Sequence, residues 1–342
     1  MNPKKKFFSD FILKLKSAAE GLCGFFKKLI KHKKGRAGLC MLAVIALIAA
    51  LAPLLTPYDP YDYDAVNRLL PPSGAHWLGT DKNGVDILTQ LIYGTRVSLV
   101  IGSVTGVSVT VLGAVLGVAA GYFGKTVSAL VLNIINVLMV IPTLPLMIIL
   151  NKVSSSYVMM IFIFTAFGWA GTARVVRAQT LGVVNMNYVK QAELAGAGKA
   201  YIMRRHILPA VSHLLIMNCA LSCAGFMIAE AGLSFIGLGD PSAISWGKIL
   251  VGAEESAFSS GLWAWILAPG AAIFITVTAF MQIGYAIEDI FNPKMRSGAC
   301  DGEAFGKLEK SEIERLFDGM NDMTQERASE IYDRYESLNT KE

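Results

Sequence analysis

Long apolar runs separated by short polar stretches make up most of this chain, and each run has about the length of a membrane-spanning helix. About 20 residues at a rise of 1.5 Å per residue cover the roughly 30 Å hydrocarbon core of a bilayer. The pattern therefore predicts an all-α integral membrane protein with six transmembrane helices. The predicted spans run from Ala37 to Thr56, Ser98 to Phe123, Val127 to Leu150, Tyr157 to Val176, Leu208 to Ala229 and Leu262 to Ile287.

The two ends of the chain differ from the central domain, residues 37–296. Residues 1–36 form a basic amphipathic segment in which apolar residues recur at near-helical intervals, a pattern that predicts an elbow helix lying in the membrane interface. Those apolar residues are Phe7, Phe8, Phe11, Leu15, Leu22, Phe25, Phe26 and Leu29. Residues 297–342 are acidic, and Ser311 with Glu314 forms a capping box that predicts the first of two short helices in this tail.

Composition agrees with a membrane protein. Hydrophobic residues make up 54% of the 342 positions and charged residues 17%, against roughly 25% charged in soluble domains. Eleven basic residues precede the first apolar run, with only Asp10 and Glu20 opposing them. Beside a spanning helix, such a cluster favours anionic lipid on the cytoplasmic side over nucleic acid.

The charges of the loops predict the orientation, because Lys and Arg are retained on the cytoplasmic side during insertion. Residues 57–97 contain three basic residues against five aspartates, so this loop is expected outside. Residues 174–206 contain six basic residues against Glu193 alone and are expected in the cytoplasm. Both termini then face the cytoplasm, in the inner or plasma membrane of a prokaryote.

Glycine recurs along the second predicted span, at Gly102 and Gly106 and again at Gly113, Gly117 and Gly121. Glycines about four residues apart lie on one side of a helix and let a neighbouring backbone approach closely. The pattern predicts tight helix packing there.

The cytoplasmic loop from Tyr188 to Pro209 is too long for a simple turn. Ala192, Leu194 and Ala195 predict one short helix, and Gly196 and Gly198 end it. A second, basic helix then leads into the fifth span. This helix, turn and helix arrangement suits docking into a groove of another protein.

The loop resembles the coupling motif of ABC importer permeases, in which Glu-Ala-Ala is followed by a Gly and closed by Ile-Leu-Pro or a similar ending. Lys190 stands at the motif's Glu, whereas Gln191 and Ala192 stand at its two Ala positions. The resemblance implies an ATPase-coupling role for Lys190, Gln191, Ala192, Gly196, Ala197, Ile207, Leu208 and Pro209.

Further segments resemble the dipeptide, oligopeptide and nickel class of these permeases, and specifically its second, C-type subunit. They are residues 76–86, 93–99, 169–177, 230–239 and 245–247. Val85 stands where this class usually has Arg. The resemblance covers roughly residues 36–296, and the acidic tail has no counterpart in the usual family pattern.

The resemblance implies a transport subunit rather than an enzyme, carrying peptides or chelated nickel. Its partners would be a sister permease in a heterodimer, two ATPase subunits and an extracytoplasmic binding protein. ATP and Mg would be bound by the ATPase subunits and no cofactor by this chain. Gly196 to Lys199 lacks the first Gly and the Ser or Thr of a phosphate-binding loop.

Glu230, Pro142 and Pro145 are candidates for a pathway or gate. An acid near the outer end of a span is a functional-site hypothesis by default, although Glu230 could equally bond to the glycine-rich turn that follows it. The two prolines predict a kink in the third span, through bending alone or beside a pathway. Arg174 and Arg177 are explained by snorkelling to the cytoplasm, and the dispersed histidines predict no metal site.

Two other classes of function remain as alternatives. An ion-driven secondary transporter would show internal repeats and intramembrane charge networks, yet Glu230 is nearly the only acid inside these spans. A membrane scaffold could recruit partners through the acidic tail. Co-purification with an ATPase subunit separates a working permease from a scaffold.

Overall fold

A computed structural model describes residues 24–151, 156–260 and 263–291. Within these ranges the regular structure is helical, and an isolated bridge between Thr80 and Asp86 is the nearest thing to a strand pair. Residues 1–23, which carry most of the predicted elbow helix, and the acidic tail 297–342 lie outside the described residues. The elbow helix and the tail helices therefore stay predictions.

Twelve helices can be labelled along the described chain. Residues 24–31 form α1, and a bend at His32 separates them from α2. The others are α2 Lys33–Ala50, α3 Ala52–Leu55, α4 Ile87–Tyr122, α5 Lys125–Val140, α6 Thr143–Asn151, α7 Tyr157–Val184, α8 Asn187–Leu194, α9 Lys199–Ile202, α10 Leu208–Leu233, α11 Trp246–Ser260 and α12 Trp263–Phe291. The π-helical segment Met203–Ile207 joins α9 to α10, and a second one, Ser234–Leu238, follows α10.

Four helical stretches within the described residues are long and apolar enough to cross a bilayer. They are α4, α7, α12 and the continuous stretch Lys199–Leu238 that contains α10. Helix α5 is apolar but has only 16 residues, and α2 has three basic residues in its first turn. The membrane character and the helical class are thus confirmed, whereas the count of six spans stays a prediction.

The kink predicted from the two prolines is confirmed. Helix α5 ends at Val140, Ile141 is extended with ψ 118°, and α6 begins at Thr143. Pro142 disfavours a helical conformation at the residue before it and has no N–H to donate. Pro145 lies in the first turn of α6, where the missing donor costs little.

Helix α4 lies at the centre of the bundle because its glycines admit two neighbours. An added Cβ on any of the five would come within about 3 Å of a neighbouring helix. Against α10 lie Gly102, beside Met227, and Gly106, beside Cys223; against α7 lie Gly113 beside Thr172, Gly117 beside Val176 and Gly121 beside Thr180. The predicted close packing is confirmed, and the glycines serve two partners rather than one.

Two apolar clusters fix the ends of this bundle. The first joins Ile87 of α4 and Met227 of α10 to Trp246, which begins α11, and Trp265 of α12. The second joins the other ends of α4, α7 and α10 to the loop that contains α8 and α9. The first cluster packs beside the region of Glu230, and the second packs under the loop from Tyr188 to Pro209.

We predict that Gly117→Ala lowers the stability of the subunit. The new Cβ would lie 2.7 Å from the Ala173 carbonyl oxygen of α7, and backbone cannot move as a side chain can. Overpacking of this kind costs about 1–3 kcal/mol. A lower melting temperature in detergent would show the effect.

Gly225→Ala is the matched control, because the space around Gly225 on α10 is open. It should melt at the wild-type temperature or slightly above, since alanine favours helix over glycine. Equal melting of the two variants would contradict the packing argument.

Candidate functional site

The loop that joins α7 to α10 is built around a Schellman turn. The Ala197 N–H donates to the Ala192 carbonyl, and the Gly196 N–H donates to the Glu193 carbonyl, both at 3.0 Å. Gly196 has a φ of +81°, a conformation that glycine adopts without the penalty of a Cβ. The chain thereby reverses direction between α8 and α9.

One face of this loop is anchored in the bundle. Val189, Ile202 and Ile207 are at most 1% exposed. They pack with residues at the ends of α4, α7 and α10, namely Val118, Val176, Val183 and Val211. The loop is therefore packed directly against three long helices.

The opposite face of α8 is open. Leu194 is 88% exposed, and Tyr188 and Tyr201 are about half exposed. Leu194 thus leaves an apolar side chain exposed among polar neighbours on α8, and Tyr201 adds aromatic surface from α9. The loop therefore has one fixed face and one face suited to docking.

The predicted coupling residues divide between these two faces. The exposed ones are Lys190, Gln191, Gly196, Leu208 and Pro209; Ala192 and Ala197 are half-buried, and Ile207 is buried. The sequence analysis did not assign Leu194 to the exposed face. Helical periodicity could have placed Leu194 on the exposed face. Lys190 and Leu194 are four residues apart and so share one face of α8, whereas Val189 and Ala192 share another.

The segment from His76 to Asp86 is a folded loop that starts α4. The Asp86 carboxylate caps the helix, with Oδ2 accepting from the Thr89 N–H and hydroxyl at 2.8 Å each. Its Oδ1 lies 3.0 Å from His76 Nδ1. Val85 is 4% exposed, so the residue that departs from the family pattern is buried within this loop.

Asp81 holds the same loop from within. Its Oδ1 accepts from the N–H groups of Asn83 and Val85, and its Oδ2 accepts from Gln90 Nε2, all within 2.9 Å. These bonds join the loop to the first turn of α4. The sequence motif therefore encodes local structure at this end of the molecule.

Arg96 joins α4 to the end of α2. Its Nε donates to the Ala49 carbonyl at 2.6 Å and its Nη2 to the Ala50 carbonyl at 3.1 Å. The last carbonyls of a helix have no partner within the helix, so the guanidinium satisfies groups that would otherwise be unpaired.

Glu230 connects three elements. It is 1% exposed; its Oε2 accepts from the Ser98 hydroxyl at 3.1 Å and its Oε1 from the Ser234 hydroxyl at 2.8 Å. The Ser98 hydroxyl also accepts from the Trp246 N–H at 3.2 Å. Through Ser98 the carboxyl thus ties α4, α10 and the start of α11 together. The sequence analysis missed Ser98 as its partner and Trp246 as the partner of Ser98. Pro142 and Pro145 are exposed beside the break between α5 and α6.

Asp240 links the turn after α10 to the start of α7. It accepts from the Ser242 N–H at 2.8 Å and from the Tyr157 N–H at 3.1 Å. Partial burial alone would raise the pKa of Asp240, but hydrogen bonds from Ser242 and Tyr157 outweigh it and hold the pKa below its usual value. Asp240 is therefore a fixed negative charge at neutral pH.

A cavity of about 570 Å³ lies beside this turn. Its lining combines the aromatic residues Tyr61, Tyr63 and Trp265 with charged residues of both signs, Asp81, Asp240 and Lys248. Within the described residues, no three His, Cys, Asp or Glu side chains gather as a metal site. The cavity therefore combines apolar walls with charged groups of both signs.

Comparison with known proteins covers most of the chain. Residues 113–297 match the family described as binding-protein-dependent transport system inner membrane component. Residues 24–72 match the N-terminal TM domain of oligopeptide transport permease C. The dipeptide transport system permease protein DppC of Bacillus subtilis is 33% identical over 273 residues, which are 79% of this chain and 85% of that protein. The oligopeptide transport system permease protein OppC of Mycobacterium tuberculosis is 31% identical over 240 residues, 69% of this chain and 81% of that protein.

We predict that Ser98→Ala destabilises the subunit. The substitution removes a hydroxyl that donates to Glu230 and accepts from Trp246, so two buried polar groups lose a partner. Each such loss costs about 1–3 kcal/mol. The melting temperature in detergent should fall clearly.

Ser103→Ala, on the same helix, is the control, because its side chain makes no hydrogen bond within the described residues. It should melt as the wild type does. If Ser98→Ala melted like Ser103→Ala, the hydroxyl would not hold these helices together.

Proposed function

The chain belongs to the family of inner membrane components of binding-protein-dependent transport systems and is a permease subunit of an ABC importer, and we propose that its cargo is a peptide. The relatives DppC and OppC are named for dipeptide and oligopeptide transport, which favours peptides over chelated nickel. The family is one of membrane permeases rather than enzymes. This interpretation replaces the two alternatives, an ion-driven transporter and a membrane scaffold.

The loop from Tyr188 to Pro209 is proposed to couple the permease to an ATPase subunit. The observation that carries the proposal is that this loop has two faces: one is packed against the bundle, and the other is exposed and includes Leu194. ATP and Mg would be held by the ATPase subunits. Their closure would move α8, and the buried contacts of Ile202 and Ile207 would pass the movement to α4, α7 and α10.

The region around Glu230 is proposed to keep the other end of the bundle closed. Its hydrogen bonds join α4, α10 and the start of α11, which supports the proposal that these elements move as one body. Pro142 and Pro145 interrupt the helical path beside α7 and are proposed as the point at which α5 and α6 change their angle. Together these residues would act as a gate rather than as a cargo ligand.

The remaining partners follow from the family. We propose a heterodimer with a sister permease, two ATPase subunits and an extracytoplasmic binding protein that delivers peptide near the 570 Å³ cavity. The location would be the inner or plasma membrane of a prokaryote, with both termini in the cytoplasm. The basic residues of the α7–α10 loop and the acidic loop before α4 support this orientation.

Leu194→Asp should uncouple the transporter without unfolding it. Leu194 is 88% exposed, so its replacement disturbs little inside the subunit. In a groove of the ATPase that fits an apolar side chain, the new carboxylate would lose its hydration, and this loss is unfavourable. We expect loss of ATPase co-purification, and a fall of about tenfold or more in hydrolysis stimulated by the binding protein.

Val66→Asp provides the control, because Val66 is also 88% exposed but lies in the loop before α4. It should retain the ATPase subunits in full. Normal co-purification and hydrolysis with Leu194→Asp would remove α8 from the coupling role.

The same two positions test the orientation. In a chain without its native cysteines, Val66→Cys should react with a membrane-impermeant thiol reagent in intact cells, since the loop is proposed to lie outside. Leu194→Cys, in cells that lack the ATPase subunits so that this position is uncovered, should react only after the cells are permeabilised. The opposite labelling pattern would show that the topology is the reverse of the proposed one.

A further inference from the structure

Separate segments of the chain form the walls of the 570 Å³ cavity. Tyr61 and Tyr63 come from the loop before α4, Asp240 from the turn after α10, Lys248 from the first turn of α11 and Trp265 from α12. The two tyrosines are 55% and 71% exposed, so they form an aromatic rim. Sites for small molecules commonly occupy about 300–1,000 Å³ and combine apolar walls with a few polar groups. This cavity has the size and the lining of such a site.

Lys248 brings a half-buried cation to the cavity. Its Nζ donates to the Pro241 carbonyl, whereas an ammonium has three donors. No carboxylate of the described residues lies within ion-pair distance of it. Burial lowers the pKa of Lys248 more than the charge of Asp240 raises it, because the ammonium has lost hydration that the protein does not fully replace. A bound carboxylate would replace it.

The acids in the same walls are already engaged by the protein. Asp240 Oδ1 accepts from the N–H and the hydroxyl of Ser242, and its Oδ2 accepts from the Tyr157 N–H. Both oxygens of Asp81 accept hydrogen bonds from its own loop and from α4. These carboxylates hold the walls in place and add negative charge to the cavity, while Lys248 has donors to spare.

The indole N–H of Trp265 is a second donor without an acceptor. The side chain is 1% exposed, and its Nε1 has no hydrogen-bond partner within the described part of the chain. A Cβ added to Gly252 of α11 would lie 3.1 Å from Cζ2 and 3.8 Å from Cε2, the carbon that bears Nε1. Gly252 and Trp265 both line the cavity. Since a buried unpaired donor is unfavourable, a carbonyl that entered beside Gly252 would stabilise this wall.

We propose that the cavity binds a short peptide, with Lys248 holding its C-terminal carboxylate and Trp265 Nε1 donating to one of its carbonyls. The proposal rests on the peptide permease function proposed above. A free peptide supplies both acceptors that the lining lacks, and its terminal ammonium is attracted by the carboxylates of Asp81 and Asp240. The aromatic rim offers apolar contact to peptide side chains without requiring a particular sequence.

Protection of a cysteine tests the site. Val251→Cys, in the cavity wall, is placed in a chain without native cysteines and assembled with the sister permease and the ATPase subunits in nanodiscs. A free-acid tripeptide at millimolar concentration should slow its reaction with a water-soluble thiol reagent at least severalfold. Val66→Cys is the control, because Val66 is 88% exposed and lies outside the lining. Its labelling should not change. Binding protein is omitted, so its own affinity for peptide does not enter.

The form of the peptide tests the role of Lys248. The C-terminal amide should require on the order of tenfold more peptide than the acid for the same protection of Val251→Cys. Lys248→Gln should abolish this difference, since glutamine can still bond to the Pro241 carbonyl but carries no charge, and Lys248→Arg should keep part of it. Trp265→Phe should weaken protection by acid and amide alike, because the indole N–H is proposed to contact the backbone.

Several outcomes would overturn the proposal. Absence of protection by either peptide would remove the ligand, and equal protection by acid and amide would remove the carboxylate from Lys248. Labelling of Val251→Cys that is fast in the isolated subunit but blocked in the assembly would show that a partner protein fills the cavity. Peptide uptake by wild-type proteoliposomes with binding protein is measured in parallel. Uptake without protection would count against the cavity alone, whereas absent uptake would count against the peptide permease function itself.

Discussion

The close approach of α4 to both α7 and α10 is the contact on which the other features depend. Gly102 and Gly106 let α10 come near enough for the Ser98 hydroxyl to reach Glu230. Gly117 and Gly121 bring α7 close at the other end, where Val118 joins the cluster under the α8 loop. Larger side chains would separate the helices and break both arrangements.

Because α4 has 36 residues, it extends for about 54 Å and reaches both ends of the bundle. Its first turn is fixed by Asp86 and Asp81, and Arg96 fastens it to α2. Helix α4 is therefore held at both of its ends and along its length, and it connects the Glu230 network with the cluster under the α8 loop.

Local patterns in the sequence predicted the helical class, the packing glycines, the break at Pro142 and the turn at Gly196, since each depends on residues close together in the chain. The pairing of Ser98 with Glu230 joins residues 132 positions apart, and no periodicity encodes such a contact. Helix α4 also begins at Ile87, well before the predicted span at Ser98. Hydropathy detects only the apolar part of a helix, which is the part suited to lipid. The start of α4 is instead fixed by the Asp86 cap.

Several polar side chains inside the bundle find hydrogen-bond partners, and they do so in two different ways. Hydroxyls such as those of Thr110 and Thr180 donate to a carbonyl one turn earlier in their own helix. The Glu230 carboxyl instead accepts from hydroxyls of neighbouring serines, among them Ser98 and Ser234. These solutions need no second molecule.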